Sequence, residues 1–493
     1  MTIASASADT ALPAAESAFA SYRHVEPERR AQLLEAIADE LVALGDDLLV
    51  AADSETGLGL PRLTGERVRT VNQLRLFAAV VREGSWVDAR IDRALPTRQP
   101  PKPDLRRLLI PLGPVVVFAA SNFPLAFSVA GGDTAAALAA GNSVVLKAHP
   151  AHPETSARVA AAVARALVRC ELPPAIFSLV SGAGHDVGLA LVRHPLTRAV
   201  AFTGSLSGGR ALFDAAAARP EPIPVYAEMG STNPVFVLPG ALDEQAAALG
   251  AALADSATLG VGQFCTKPGL VFAGAGPGFD VFASALGTRV ASKPAARMLY
   301  PELAERFRHG SAALAKTPGV TQLGQAPPAD GAGLGRPVAW QVDFADFARC
   351  PALHTELFGP STLLVRAQNQ AELSAAAAQL EGQLTATVHA TPADLVSASS
   401  LIHELERKVG RLLFGGVPTG VEVAAAMNHG GPYPASTDSR TTSVGTAAIT
   451  RFARPLCYQD AASSVLPPEL HNRNLRGIWR LVDGILTRDD VGG

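Results

Sequence analysis

The distribution of apolar residues divides the chain into helical and strand-like segments. Apolar positions three and four residues apart run through Tyr22–Gly45, which predicts an amphipathic helix that ends at a glycine. From Leu112 onward, short β-branched runs alternate with alanine-rich windows. The predicted strands are Val115–Ala119, Ser143–Lys147, Ile176–Val180, Ala199–Phe202 and Val225–Ala227, and the helices between them are Phe127–Ala139, Pro153–Arg169, Gly184–Arg193 and Ser207–Ala218. This alternation predicts right-handed crossovers and a parallel sheet covered on both faces.

A second α/β unit is predicted to begin after Pro239-Gly240. It opens with a helix near Leu242–Leu259 and later alternates strand, helix and strand at Thr385–Ala390, Ala393–Glu404 and Arg411–Phe414. The proline-rich stretch at residues 95–103 cannot be a helix or a central strand, so it is predicted to be a connection. The polar tail, residues 461–493, could be a docked appendage or partly disordered.

Composition excludes several classes of protein. The chain has 493 residues, 48% hydrophobic and 18% charged, which is enough for a large core and about three folding units. Lys and Arg number 42 against 45 Asp and Glu, so the net charge of −3 gives no footprint for nucleic acid or an anionic membrane. The longest apolar runs are far shorter than the roughly 20 residues of a membrane span, and residues 1–15 lack the features of a signal peptide.

Cysteine usage indicates the compartment. The four cysteines, at positions 170, 265, 350 and 457, form no C-x-x-C pair. A disulfide scaffold and a zinc cage are therefore not expected, and a reducing cytoplasm is the predicted location.

Polar side chains follow several predicted strands, at the end where open α/β sheets bind ligands. Asn122 could either cap the next helix or belong to a site. Lys147 could be an ordinary surface lysine or could reach the ribose or 2′-phosphate of a dinucleotide. Glu228 could form a structural salt bridge, or partial desolvation could raise its pKa toward the range of a general base.

Two glycine-containing turns are candidates for binding phosphate. Gly204-Ser205 follows a strand and opens a helix, so free N–H groups are available there. The closest match to a dinucleotide fingerprint, Gly182-Ala-Gly184 with Gly188, has its third glycine one residue too late and does not lie on the first strand-to-helix turn. A variant phosphate cradle therefore stays open, and a standard fingerprint is weakly supported.

Cys265 lies in a turn-rich stretch, unlike the other cysteines. A buried, inert cysteine is the common case, but the glycines around Cys265 and the nearby Lys267 favour an exposed, activated thiol.

The histidines are not predicted to bind metal. His149 and His152 have H-x-x-H spacing, but the adjacent prolines prevent a regular helix from presenting both rings to one ion. The remaining candidates are interpreted as structural or surface residues: His354, His389 and His429.

Together these motifs resemble the NAD(P)-dependent aldehyde dehydrogenase superfamily. The resemblance spans about residues 16–460 and is carried by Ser121-Asn-Phe-Pro124, Val145-Leu-Lys147, Phe202-Thr-Gly-Ser205, Glu228-Met-Gly230, Gly262-Gln-Phe-Cys265 and Glu356-Leu-Phe-Gly-Pro360. It implies an α/β fold with a Rossmann-type cofactor domain, an α/β catalytic domain and a small β oligomerisation arm. The implied bounds are 1–89 and 111–240 for the cofactor domain, 241–441 for the catalytic domain, 90–110 and 442–460 for the arm, and 461–493 for the tail.

The resemblance also implies residue roles. Cys265 would attack the aldehyde as a thiolate, while the Asn122 side chain and the Cys265 N–H would hold the oxyanion. Glu228 would activate the water that hydrolyses the thioester. NADP or NAD would be the cofactor, and its expected contacts are Lys147 and Glu356 at the riboses, Gly204 and Ser205 at the pyrophosphate, Phe358 beside the nicotinamide, and Gly188.

Two segments refine the implied substrate and cofactor. Residues 147–153 and 430–445 resemble the branch that oxidises α-ketoglutaric semialdehyde (2,5-dioxovalerate), although NADP-dependent fatty aldehyde dehydrogenases carry similar stretches and are the alternative. Many NAD-preferring members have an acid where this chain has Pro150, so NADP or dual use is favoured. Phe414-Gly-Gly416 departs from the pattern of many members and leaves the floor of the substrate pocket open.

Rival functions differ in the residues they need. An acylating enzyme that passes its thioester to coenzyme A usually lacks the general base, so Glu228 argues against it. A non-catalytic member would not need Cys265, Asn122 and Glu228 together.

Family members pair through a hairpin and a C-terminal strand, here Arg90–Ile110 and Thr442–Pro455, so a homodimer or homotetramer is expected. The other predicted partner is a small-molecule aldehyde, without nucleic acid or membrane.

Overall fold

The structure, a computed structural model, describes residues 7–182 and 184–492. The helices are α1 (Ala8–Tyr22), α2 (Pro27–Ala43), α3 (Gly45–Thr56), α4 (Leu60–Glu83), α5 (Gly132–Ala140), α6 (Pro153–Arg169), α7 (His185–Arg193), α8 (Leu206–Ala217), α9 (Pro239–Thr258), α10 (Pro277–Ala291), α11 (Pro301–Leu314), α12 (Phe344–Arg349), α13 (Gln370–Gln379), α14 (Pro392–Ser397) and α15 (Ser399–Glu406). The strands are β1 (Arg90–Asp92), β2 (Leu105–Pro111), β3 (Val115–Phe118), β4 (Val144–Lys147), β5 (Phe177–Val180), β6 (Ala199–Thr203), β7 (Val225–Glu228), β8 (Val235–Val237), β9 (Leu270–Gly274), β10 (Ala296–Arg297), β11 (Thr321–Gln325), β12 (Leu334–Gly335), β13 (Val338–Asp343), β14 (Ser361–Ala367), β15 (Gln383–His389), β16 (Val409–Phe414), β17 (Ala453–Gln459), β18 (Arg480–Val482) and β19 (Ile485–Thr487).

The first sheet is parallel and covered on both faces, as predicted. Its strand order is β5-β4-β3-β6-β7, so the chain reverses direction across the sheet at β3, which is the Rossmann-type arrangement. Successive residues of β3 face opposite clusters. Val115 and Val117 pack with α2, α4, α5 and α6, whereas Val116 and Phe118 pack with α1, α7 and α8.

Two predicted helix boundaries differ from the structure. The predicted Tyr22–Gly45 helix divides at Pro27, which begins α2 after α1 has ended. The predicted Phe127–Ala139 helix begins only at Gly132, because the buried carboxylate of Glu66 accepts the backbone N–H groups of residues 125 and 126 and holds a turn there. That carboxylate comes from α4, so the local pattern could not indicate it.

The second sheet has the strand order β11-β13-β14-β9-β8-β15-β16, parallel except for the antiparallel edge strand β11. One face packs on α9 and α10, and the other packs on α11, α12, α13 and α15. Strand β8 pairs with β9 and β15, so this sheet begins at Val235. The change of sheet therefore precedes the predicted boundary at residue 240, because β8 follows β7 after a short link that no composition shift marks.

A third, five-stranded sheet has the order β17-β2-β1-β18-β19, and β10 and β12 form a separate two-stranded ribbon. The proline-rich stretch connects β1 to β2, as predicted. The described part of the tail is docked: β18 pairs with β1, while Leu470 and Ile478 are buried beside Ile91. The segment predicted to begin the arm at residue 442 is not a strand until Ala453, since Ser443 and Phe452 are buried in the body of the molecule.

None of the described helices is long and apolar enough to cross a membrane.

The register of the first sheet places candidate residues along one edge. Phe118 is the partner of both Lys147 and Phe202, and Thr203 is the partner of Glu228. The carboxyl ends of four strands therefore coincide where β3 reverses the order, which is where ligands bind in such sheets.

Candidate active site

Cys265 follows a compressed turn of the backbone. Gly260, Val261 and Gly262 all have positive φ, at 55°, 59° and 64°. A β-branched residue rarely adopts such a conformation, so Val261 marks local strain. At Gly262 a Cβ atom would lie 2.2 Å from the carbonyl oxygen of Gly359. A glycine is therefore required there, and the turn is pressed against the loop that carries Glu356.

Asn233 anchors the cysteine loop to the second sheet. Its Nδ2 donates to the carbonyl oxygens of Cys265 at 2.8 Å and Lys267 at 3.0 Å. Its Oδ1 accepts from the hydroxyls of Ser231 at 3.0 Å and Thr385 at 3.1 Å. These buried hydrogen bonds fix the backbone on either side of the thiol.

A cysteine, a histidine and a glutamate meet at the centre of the site. The Cys265 sulfur lies 3.5 Å from His429 Nε2, and the same nitrogen lies 3.0 Å from Glu228 Oε1. The Ser443 hydroxyl donates to Glu228 Oε2 at 2.6 Å. Glu228 is 4% exposed and His429 is 1% exposed, whereas Cys265 is half-buried. The thiol is thus the accessible member of a desolvated, charged cluster.

The charges in this cluster support one another. Burial alone would lower the pKa of His429, but the negative charges of Glu228 and Cys265 outweigh burial and raise that pKa to about 10. Burial would raise the pKa of Glu228, but His429, Ser443 and Arg451 together lower it. The expectation that desolvation raises the pKa of Glu228 is therefore wrong, because the sequence does not show which cations face the carboxylate.

The segment that carries His429 returns to the first sheet from the far end of the chain. Met229 donates its N–H to the carbonyl oxygen of Ala435 at 2.8 Å, and the backbone N–H of Ser443 donates to the carbonyl oxygen of His429 at 2.8 Å. The interpretation of His429 as a structural or surface residue missed its contact with Cys265. A signal was present, because His429 directly precedes the Gly430–Gly445 stretch that carries part of the family resemblance.

Asn122 and Lys267 occupy different positions from those that local patterns favoured. Asn122 caps no helix; it is 8% exposed, and its Nδ2 donates to the carbonyl oxygen of Gln263 at 3.1 Å, close to Cys265. One N–H of that amide stays available. Lys267 does not activate the thiol, since its ammonium donates to the carbonyl oxygens of Leu357 at 2.8 Å and Ser361 at 3.0 Å. The cation beside the sulfur is that of His429.

Candidate cofactor residues lie at the same edge of the first sheet. Lys147 is 9% exposed, and its ammonium has no hydrogen-bond or ion-pair partner in the described part of the chain. Ser205 is the N-cap of α8, where its hydroxyl accepts from the N–H of Gly208 at 3.2 Å. The Gly204 N–H donates to the Glu228 carbonyl at 3.0 Å, which places the start of α8 beside β7. A desolvated cation and a helix N-terminus suit an anionic ligand.

The remaining cofactor candidates are more dispersed. Glu356 lies against Gly230, where a Cβ would be 2.5 Å from its Oε2, and burial raises the pKa of this carboxyl although Lys267 opposes the shift. Phe358 packs partly into the core of the second sheet. Gly188 lies inside α7, where a Cβ would be 3.0 Å from the Phe118 ring, so its evident function is close helix-to-strand packing.

The cluster around Cys265 also has the composition of a metal site. Donor atoms of Glu228, Cys265 and His429 all lie within 4.8 Å of one another. His149 and His152 do not form such a group. Their rings stack at 5.6 Å, and His152 uses both nitrogens, on the Ala120 carbonyl at 2.8 Å and the Ser156 hydroxyl at 3.1 Å.

A thiol beside an imidazolium, a buried carboxylate and a side-chain amide therefore lie together at the edge of a Rossmann-type sheet. The sequence model of the aldehyde dehydrogenase family matches residues 2–298. This chain belongs to the aldehyde dehydrogenase family, whose members use NAD(P).

Two similar proteins cover nearly the whole chain. The α-ketoglutaric semialdehyde dehydrogenase 2 of Azospirillum brasilense is 50% identical over 482 residues, covering 98% of this chain and 92% of that protein. The α-ketoglutaric semialdehyde dehydrogenase of Acinetobacter baylyi is 46% identical over 485 residues, with 98% and 91% covered.

Solved structures show the same fold. Lactaldehyde dehydrogenase from Escherichia coli superposes with a TM-score of 0.79 at 21% identity, covering 92% of this chain and 91% of that one. The glyceraldehyde-3-phosphate dehydrogenase GapN of Methanocaldococcus jannaschii, complexed with NADP, has a TM-score of 0.78 at 20% identity, with 93% and 95% covered.

Proposed function

We propose that this enzyme oxidises 2,5-dioxovalerate to 2-oxoglutarate with NADP or NAD as the oxidant. The observation that carries the chemistry is the contact of the Cys265 sulfur with His429, which itself contacts Glu228. The substrate is proposed from the two relatives that are 50% and 46% identical over nearly the full chain, and these relatives do not favour the fatty aldehyde alternative.

In the first step, Cys265 attacks the aldehyde carbon as a thiolate. His429 Nε2, 3.5 Å from the sulfur, is placed to hold the thiol proton, and the resulting imidazolium stabilises the thiolate. Attack forms the carbon–sulfur bond and gives a thiohemiacetal with a negative oxygen. The free N–H of Asn122 and the Cys265 N–H are the proposed donors to that oxygen, and one such donor contributes about 10²–10³ in rate.

The proposed cofactor contacts are Lys147, Gly188, Gly204 and Ser205 from the first sheet and its helices, and Glu356 and Phe358 from the loop before β14. A nicotinamide bound there would supply the hydride acceptor that oxidation of the thiohemiacetal to the thioester requires. The unpartnered ammonium of Lys147 supports binding of an anion at the adenosine end. Pro150, exposed in the turn after β4, brings no carboxylate against a 2′-phosphate, so we propose NADP or dual use.

In the last step, Glu228 takes a proton from the water that attacks the thioester. Its lowered pKa keeps it ionised at neutral pH, and the Ser443 hydroxyl holds its second oxygen at 2.6 Å. Hydrolysis breaks the carbon–sulfur bond, releases the acid and returns the thiolate to His429.

The domain functions and the assembly belong to the same proposal. The first sheet would bind the cofactor, the second sheet would carry the cysteine, and the third sheet would pair subunits in a homodimer or homotetramer. The exposed edge strand β17 supports pairing, because its outer N–H and C=O groups are open to another strand. Sedimentation velocity measures the assembly, and a monomer at micromolar concentration would contradict this part.

The proposed activity is tested by following reduced-nicotinamide absorbance. The substrates are 2,5-dioxovalerate, succinic semialdehyde and the series from hexanal to decanal, each with NAD and with NADP. We expect the highest kcat/KM for 2,5-dioxovalerate. Cys265→Ala should abolish turnover, whereas Cys457→Ala, on the exposed arm, should not. Equal kcat/KM for hexanal and 2,5-dioxovalerate would refute the substrate, and full turnover by Cys265→Ala would refute the mechanism.

A further inference from the structure

Three arginines around Cys265 lack a carboxylate partner. Arg62 packs on the ring of Phe264, the residue before Cys265, and Arg69 packs on the ring of Phe127, which lies beside His429. Arg411 follows Gly410, whose carbonyl oxygen accepts from Asn428, the residue before His429. Burial lowers the pKa of all three guanidinium groups, and a negative charge on Cys265 would act in the opposite direction. Among the described residues, none of them has an acidic oxygen within ion-pair distance. Arg451, by contrast, is buried against Asp133 at 2.6 Å. Buried charges are normally paired, so three unpaired arginines at one site call for an explanation.

The hydrogen bonds of Arg69 leave one defined edge of the group free. Its Nη1 donates to the carbonyl oxygen of Val421, whereas its Nε and Nη2 are buried and have no hydrogen-bond partner in the described part of the chain. Nε and Nη2 form the side of the guanidinium plane that binds both oxygens of a carboxylate at once. The edge is therefore ready for a bidentate anion.

The other two arginines add positive charge but fewer free donors. Arg62 lies between the rings of Phe123 and Phe264, at 4.9 and 4.7 Å, and donates to the Asn122 carbonyl at 2.5 Å, which leaves Nη1 unpartnered. Arg411 donates to the carbonyl oxygens of Pro418 and Gly420 and leaves Nε unpartnered. Both are partly committed to holding loops in place.

Position links Arg69 to the reacting sulfur. Its guanidinium carbon lies 5.7 Å from the centroid of the Phe127 ring, which in turn lies 6.5 Å from the ring of His429. Three acids act on Arg69, and none of them lies within ion-pair distance of its guanidinium. Glu66 holds two backbone N–H groups with its Oε1, Glu228 contacts His429, and Glu422 is exposed. An anion that enters beside Cys265 therefore meets Arg69 without a competing ion pair.

We propose that the Nε–Nη2 edge of Arg69 binds the carboxylate of the substrate, with Arg62 and Arg411 as supporting cations. The ligand class is an aldehyde with a carboxylate at the far end of a short chain. In 2,5-dioxovalerate the carboxyl carbon is four bonds from the aldehyde carbon, about 5 Å when extended. Arg69 is linked to the nucleophile through the rings of Phe127 and His429, so a short aldehyde with a terminal carboxylate is the class to test. This subsite deepens the proposed function and rests on it.

The test compares charged and uncharged aldehydes of equal length. The pairs are 2,5-dioxovalerate with pentanal and succinic semialdehyde with butanal, and the readout is the ratio of kcat/KM within each pair. In Arg69→Met we expect the ratio for 2,5-dioxovalerate over pentanal to fall about 100-fold, mainly through KM, because charge-assisted bidentate bonds are lost. In Arg69→Lys, which keeps the positive charge but not the planar pair of donors, the same ratio should fall about 10-fold.

Arg67→Met is the matched control. Arg67 lies on the same helix, but it donates to the Gly45 carbonyl and pairs with the exposed Asp46 at 3.4 Å, so both ratios should stay at the wild-type value. Circular dichroism and thermal unfolding establish that each variant is folded.

Inhibition of pentanal oxidation by 2-oxoglutarate gives a second readout that does not depend on the substrate assignment. We expect the inhibition constant to rise about 100-fold in Arg69→Met. Unchanged ratios and an unchanged inhibition constant in this variant would overturn the subsite while leaving the proposed function intact. If wild-type enzyme shows no preference for 2,5-dioxovalerate over pentanal, the proposed function fails; the subsite then stands only if succinic semialdehyde and 2-oxoglutarate still depend on Arg69.

Discussion

His429 offers the sharpest test of how the site activates its nucleophile. The substitution His429→Gln removes the imidazolium that lies 3.5 Å from the Cys265 sulfur and keeps an uncharged amide of similar size. With an effective dielectric constant of about 20, two unit charges at that separation attract by about 5 kcal/mol. Glu228, 3.0 Å from the same nitrogen, shares the charge, and burial opposes it. We expect about half of the attraction to be lost, which corresponds to about 50-fold in the reactivity of the sulfur as a nucleophile.

Alkylation by iodoacetamide measures that reactivity directly, because the nucleophilic sulfur is the group that iodoacetamide modifies. The rate of modification of the Cys265 peptide, followed by mass spectrometry at pH 7, should fall about 50-fold in His429→Gln. Cys457 lies on β17, in a different sheet from the site, and serves as an internal reference, since its rate should be the same in both proteins. His471→Gln is the control variant, because the ring of His471 bonds the Leu466 carbonyl in the tail, away from the site.

The steady-state kcat/KM of His429→Gln should fall by a similar factor. Wild-type alkylation of Cys265 and wild-type kcat/KM in this variant would refute the reasoning. Slow turnover with normal alkylation would instead assign His429 to a later step.

Three further outcomes follow from the same geometry. Glu228→Gln should release about one equivalent of reduced cofactor per subunit in a burst, and its steady turnover should then be at least about 10²-fold slower than that of the wild type, since hydrolysis loses its base. Rapid mixing measures both phases, and unimpaired steady turnover would contradict the role of Glu228. Gly262→Ala should lower the free energy of unfolding by about 3 kcal/mol, because the added Cβ meets the Gly359 carbonyl. Gly45 also has a positive φ but has open space around it, so Gly45→Ala should lower the free energy of unfolding by only about 1 kcal/mol. Equal losses in denaturant titrations would refute the steric argument. The difference in free energy of unfolding between the wild type and His429→Gln should be constant below pH 6.5 and should fall as the pH rises through about 10. The reason is that the pKa of His429 is raised, so the folded state keeps a proton which the unfolded state has lost. A flat or rising difference would contradict the charge assignment.

Local patterns predicted the elements that carry their own signal. The helix Pro153–Arg169 has the predicted bounds, and each strand of the first sheet lies within a residue or two of its predicted position. Elements whose ends depend on distant groups were placed less well. The turn before α5 is held by Glu66 of α4, and β8 joins the second sheet although it follows the first sheet almost directly.

The sequence alone determined the family and the alternation of strands and helices, and it singled out Asn122, Cys265 and Glu228 as candidates. These inferences rest on short-range periodicity and on motifs that are contiguous in the chain. Only the tertiary structure brought His429 to Cys265 and left the Nε–Nη2 edge of Arg69 unpaired. It also turned Lys267 away from the thiol and reversed the expected pKa shift of Glu228. The physical reason is common to all four: the pairing and charge state of a buried polar group depend on which residues face it, and those residues come from elements far apart in sequence.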